Sequence, residues 1–124
     1  MSSAKMGITG TFLDEISHDI PSASWGPRAW AAAFDAMKAI GIDTVILIRC
    51  GHKDQATFES AVLKAHQPMR PVYTDLVQVF LDEARRCGMT FFFGTYDSGR
   101  YWHHGQPQKE MDLNLALADE VGRR

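Results

Sequence analysis

Three apolar runs in this chain close on a polar group, at Asp14, Arg49 and Tyr96, and those three residues are where binding chemistry is first sought. Residues two apart on a strand share a face. Gly10, Phe12 and Asp14 therefore form one set, Val45, Leu47 and Arg49 a second, and Phe92, Gly94 and Tyr96 a third. With the strands side by side, Asp14, Arg49 and Tyr96 are expected on one side of the sheet near its carboxyl end. A carboxylate, a guanidinium and a phenol there would bind a polyhydroxylated ligand through charge-assisted hydrogen bonds. The competing reading is an Asp14 to Arg49 ion pair that simply plugs the sheet end. The loop aromatics Trp25, Tyr101 and Trp102 suit stacking on the apolar face of a sugar ring. Trp25 equally fits a staple at the start of its helix. The candidate substrate-binding set is Asp14, Glu15, Arg49, His52, Tyr96 and Trp102.

Other chemistries find little support. His52, His103 and His104 invite a metal reading, but adjacent histidines point different ways and no H-E-x-x-H or carboxylate spacing accompanies them. No metal and no cofactor are expected. No G-x-G-x-x-G follows a strand, and Gly7-Ile8-Thr9-Gly10 lacks that spacing, which disfavours a dinucleotide or P-loop site. A G-x-S-x-G elbow is absent. Cys50 and Cys87 have no C-x-x-C spacing and read as buried small hydrophobes.

The elements that position these residues follow an α/β period. Residues 34–51 hold the end of a helix, a stop at Gly41-Ile42-Asp43 and the run Thr44-Val45-Ile46-Leu47-Ile48. Residues 80–93 repeat the plan, with Gly88 as the stop and Thr90-Phe91-Phe92-Phe93 as the run. Continuous apolar runs between helices suit strands of a parallel sheet covered on both faces. Residues 8–14 supply a first strand. Pro27 fits the first turn of the next helix, whose apolar stripe is Trp30, Phe34 and Met37. Phe58, Ala61, Val62 and Ala65 mark a short helix, Thr74 or Asp75 caps the next, and Leu113, Leu117 and Val121 form the stripe of the last. Trp30, Phe34, Val45, Ile46, Phe80 and Phe91 are the expected core. Glycines at 10 and 94 suit a crowded barrel interior.

Helix-to-strand connections are short, whereas strand-to-helix connections are long and hold most of the histidines. In parallel α/β folds the ligand sits at the carboxyl ends of the strands, so this decorated end is the expected site. The length of 124 residues sets one domain, 1–124, as the ceiling. A hydrophobic fraction of 45% is enough for a core, and a net charge of −2 gives no electrostatic reason to expect nucleic acid or an anionic membrane as partner. The opening residues lack an apolar h-region and no run approaches a membrane span, so the chain as written reads as soluble, cytoplasmic and without an export signal.

The run Gly7-Ile8-Thr9-Gly10-Thr11-Phe12-Leu13-Asp14, the 30–37 helix leading into Gly41-Ile42-Asp43-Thr44-Val45-Ile46, and residues 84–88 followed by Met89-Thr90-Phe91 and Gly94 resemble the start of a glycoside-hydrolase-like TIM barrel. The family they resemble is the barrel family known as domain of unknown function 4434. The resemblance implies a bacterial (β/α)₈ barrel of which this chain holds the first three β/α units, with a parallel sheet, and an action on carbohydrate. In related retaining glycosidases the two catalytic glutamates come from the fourth and seventh strands, so neither is expected here. What the resemblance carries over is a substrate-lining role for Asp14, Glu15 and Tyr96. A full barrel needs ~250 residues. The chain thus reads as an N-terminal fragment whose partners are carbohydrate and either the remainder of the barrel or further copies of itself. Two functions stay open: part of a carbohydrate-active hydrolase with its catalytic carboxylates elsewhere, or a non-catalytic carbohydrate-binding or structural module that assembles as an oligomer.

Overall fold

A computed structural model describes residues 7–13, 25–98 and 107–124. The β/α alternation forms as the periodicity predicts. Strand β1 (Gly10–Leu13), helix α1 (Pro27–Ala39) and strand β2 (Thr44–Leu47) come first. A small hairpin, β3 (Gly51–His52) with β4 (Gln55–Ala56), precedes helices α2 (Ala61–His66) and α3 (Leu76–Cys87). Strands β5 (Thr90–Phe93) and β6 (Tyr96–Asp97) follow, and the last helix, α4, is Pro107–Gly122.

Strands β1, β2 and β5 make a parallel sheet in that order. Strand order therefore follows chain order, and α1 and α3 pack on each other and on one face of the sheet. This is the progression of a (β/α) barrel; a doubly wound sheet reverses its strand order and covers both faces. The architecture is α/β, a partial (β/α) barrel unit.

Local sequence explains the boundaries. Pro27 occupies the first turn of α1, where a missing N–H costs nothing. Gly41 (φ +94°) and Gly88 (φ +68°) end α1 and α3 in the left-handed region that side chains resist. Asp75 caps α3 by accepting from the Gln78 N–H at 2.9 Å. Between helices and sheet, the Phe80 ring meets Trp30 (4.7 Å), Phe34 (5.3 Å) and Phe91 (5.7 Å) edge to face, which ties α1, α3 and β5 together. Helix α4 buries Leu117 and Val121 and packs on α2.

The sheet register corrects one sequence expectation. Phe12, Ile46 and Phe92 are cross-strand partners, as are Leu13, Leu47 and Phe93. Val45 and Leu47 are fully buried under the helices, so they and Phe12 lie on opposite faces. Alternation says which residues of one strand share a face; only inter-strand register says which face that is. Ile46 is accordingly half-buried on the open face instead of lying in the core, and Phe91 is half-buried at the edge of the core. Phe12 and Phe92 are 65% and 57% exposed there. A second sheet, ordered β4-β3-β6, forms within the long strand-to-helix connections, where the two-residue strands leave no periodic signal.

Candidate functional site at the carboxyl end of the sheet

Beyond Leu47 and Phe93 the two central strands step sideways together. The Cys50 N–H donates to the Gly94 carbonyl at 3.1 Å, and pairing resumes as β3 beside β6, again parallel. Gly94 permits the step: a Cβ there would sit 1.6 Å from the Ile48 carbonyl oxygen, so only glycine fits. Gly51 is tight as well, with Tyr96 Cδ1 at 2.9 Å from the position of a Cβ. Gly10, the other glycine expected to be crowded, meets nothing closer than 3.7 Å.

This step assembles a polar cluster. His52 and Asp97 are register partners in β3 and β6, and His52 Nδ1 lies 3.2 Å from Asp97 Oδ2. Arg49 NH1 approaches the same oxygen at 3.9 Å. All three side chains are accessible, at 32%, 41% and 31%. A second carboxylate stands nearby. Burial, and then the charge of Asp97, raise the Glu110 carboxyl above the ordinary carboxylate range, against lowering by His66 and by a hydrogen bond from the Ser98 N–H.

The walls of the cluster are fixed by backbone. The Lys53 N–H donates to the Asp97 carbonyl at 2.9 Å, and the Tyr96 hydroxyl donates to the Lys53 carbonyl, which pins the hairpin tip. Lys53 itself holds φ +53°, a left-handed turn residue. On the outer edge of β6, Asn114 from α4 accepts from the Tyr96 N–H (2.7 Å) and donates to the Tyr96 carbonyl (3.1 Å). One amide thereby replaces a neighbouring strand and ends the small sheet there.

Of the six predicted residues, the structure brings Arg49 and His52 together. Tyr96 is close in sequence to the cluster but only 2% exposed, packed under the hairpin against Gly51 and edge-on to His66 at 6.2 Å. Asp14, Glu15 and Trp102 lie outside the described residues, as do Tyr101, His103 and His104. The same-side expectation for Asp14, Arg49 and Tyr96 thus concerns one undescribed residue. For the other two, the face alternation it assumed is interrupted by the step at residues 48–50 and 94–95. Trp25 packs edge-on against Trp30 at 5.1 Å, consistent with a staple at the start of α1. Sequence reasoning missed Asp97 and Glu110. Asp97 directly follows Tyr96, and its pairing with His52 across 45 residues leaves no local signal. Among the described residues no group of three or more His, Cys, Asp or Glu side chains is arranged to hold a metal ion. Nor, among them, is any helix long and apolar enough to cross a membrane.

The arrangement offers a hydrogen-bonding acceptor and donor surface with one fixed anion, suited to hydroxyl groups. Residues 8–124 match the family described as Domain of unknown function (DUF4434), and the chain belongs to it. It is also similar to the crystal structure of "a putative alpha-L-fucosidase from Bacteroides thetaiotaomicron VPI-5482", with 48% identity, a TM-score of 0.80 and 94% of this chain covered. The chain spans 36% of that protein's length. No curated protein matches it.

Proposed function

We propose that this member of the family contributes part of a glycoside-hydrolase-like barrel that acts on carbohydrate, with α-L-fucosides the first substrates to test. The observation that carries the reading is the position of the Arg49, His52 and Asp97 cluster at the carboxyl end of a parallel sheet, where barrels bind their ligands. The 48% identity to a protein described as a fucosidase supports the substrate class.

Glycoside hydrolysis uses two carboxyl groups ~5 to 9.5 Å apart on either side of the scissile bond. Asp97 is committed to His52 and Arg49, so in this reading it organises the substrate wall. The catalytic pair comes from other βα units, consistent with a neighbour of whose length this chain spans 36%. The test is turnover of 4-nitrophenyl α-L-fucoside and a panel of other aryl glycosides by the full-length protein. Turnover by the full-length protein and none by residues 1–124 alone is expected; hydrolysis by the segment alone would move the chemistry onto these strands.

A second reading, a non-catalytic module that self-associates, is favoured by one observation. Phe12, Ile46 and Phe92 form an apolar row on the open sheet face, and no described element covers it. Sedimentation of the segment separates the two readings: oligomers that dissociate in Phe12→Glu and Phe92→Glu variants, in a full-length protein inert towards every glycoside, would favour the module.

A further inference from the structure

We infer that Asp97 is a positioning residue that locks His52 in the tautomer protonated on Nδ1, so that the ring presents a bare Nε2 as the hydrogen-bond acceptor for a ligand hydroxyl. This rests on the carbohydrate reading for its ligand, and on the geometry of β3 and β6 for its mechanism.

The geometry is specific. His52 and Asp97 sit directly opposite each other in a parallel pair, so the backbone brings the two side chains together before any side-chain preference acts. Asp97 is held in turn: its carbonyl accepts from the Lys53 N–H at 2.9 Å, and Arg49 NH1 stands 3.9 Å from its carboxylate. An ionised carboxylate can only accept, so the nitrogen 3.2 Å away, Nδ1, must carry the proton. In a neutral imidazole the other nitrogen is then an acceptor. Nε2 makes no hydrogen bond among the described residues. The single buried side-chain polar atom without a partner among them is Trp30 Nε1, so Nε2 opens to solvent at the carboxyl end of the sheet. Arg49, a donor, stands beside this pair, its NH1 3.9 Å from Asp97 Oδ2. A fixed neutral acceptor beside a guanidinium donor suits an alcohol that donates one hydrogen bond and accepts another, as each ring hydroxyl of a neutral sugar does.

Asp97→Asn tests the idea without changing shape. The asparagine amide donates to Nδ1, which then accepts, and the proton moves to Nε2. The experiment is long-range ¹H–¹⁵N correlation of the histidine rings in full-length protein at pH 9, above the ordinary imidazole range near ~6.5, with L-fucose added stepwise. The expected result has three parts. Wild-type His52 shows the Nδ1–H pattern, Asp97→Asn shows Nε2–H, and L-fucose shifts Nε2 in the wild type with about tenfold weaker affinity in the variant. A wild-type ring protonated on Nε2 overturns the inference. Calorimetric sugar binding with an unmoved Nε2 overturns the ligand half and leaves the carbohydrate reading intact. The predicted tautomers with no response to any sugar sustain the positioning role and count against the carbohydrate reading alone. Because the wild-type tautomer is decisive by itself, a poorly folding variant does not blunt the test.

Discussion

Replacing Arg124 with alanine should release α4 from the rest of the fold, and the effect can be sized from its contacts. The guanidinium donates to both oxygens of Asp75 at 2.9 and 3.0 Å, to Gln78 Oε1 at 3.3 Å and to the Glu59 carbonyl at 3.0 Å, and lies 5.3 Å from the Phe58 ring centre. Asp75 also accepts from the backbone N–H groups of Gln78 and Glu59. The two side chains are only 19% and 25% exposed, so the pair lies between an exposed ion pair worth about 0 to 1 kcal/mol and a buried one whose disruption costs about 3 to 5 kcal/mol. Asp75 keeps its two backbone donors in Arg124→Ala and is not stranded, which places the cost at about 2 to 3 kcal/mol. Amide exchange in α4 and α2 should then accelerate about 30- to 150-fold, since each 1.4 kcal/mol is about tenfold.

The acid dependence has a definite sign. Burial pushes the Asp75 carboxyl up, but Arg124 and the Gln78 and Glu59 N–H groups outweigh it, so its folded pKa lies below the ordinary value. A depressed folded pKa contributes stability that is complete above the unfolded pKa near ~3.9 and is lost as pH falls through the folded value. The gap between wild type and Arg124→Ala should therefore be full at pH 7 and narrow below about pH 4. An acceleration under about threefold at pH 7, or a gap that widens on acidification, would mean that the Arg124 to Asp75 pair does not hold α4 in place.

The remaining predictions concern the strand step and its supports. Gly94→Ala should cost at least ~3 kcal/mol or abolish soluble expression, because its Cβ would strike the Ile48 carbonyl; thermal unfolding of the purified variant measures this. Cys50, whose thiol burial, as the main cause, pushes up to about 12, should resist iodoacetamide at pH 8 in the native protein and react only on unfolding, as peptide mass mapping would show. Asn114→Ala leaves the Tyr96 N–H and carbonyl without these partners and should cost about 1 to 3 kcal/mol, read by the urea midpoint.

The fold was largely legible because its signals are local. Pro27, Gly41 and Gly88 punctuate the helices, and the runs at Thr44–Leu47 and Thr90–Phe93 are too continuously apolar for half-exposed antiparallel strands. What the sequence hides is phase. Nothing within Thr44–Leu47 shows that Ile46, and not Val45 or Leu47, aligns with Phe12 and Phe92, because register is a property of pairs of strands. The site was half legible for the same reason. Arg49 and His52 follow an obvious strand and can be suspected from their place alone. Asp97 becomes meaningful only when β6 pairs with β3, and Glu110 only when α4 folds back on β6. Both are long-range events that follow from the close approach Gly94 allows.

Calorimetric titration of the protein with L-fucose asks whether the Arg49, His52 and Asp97 cluster at the carboxyl end of the sheet takes a sugar, as proposed. Wild type should bind saturably, and Arg49→Ala, at a side chain 31% exposed, should bind about tenfold or more weakly with its unfolding midpoint nearly unchanged. Equal affinity in the two proteins, or no saturable binding by the wild type of L-fucose or of any sugar in a matched panel, would rule out sugar binding by this cluster.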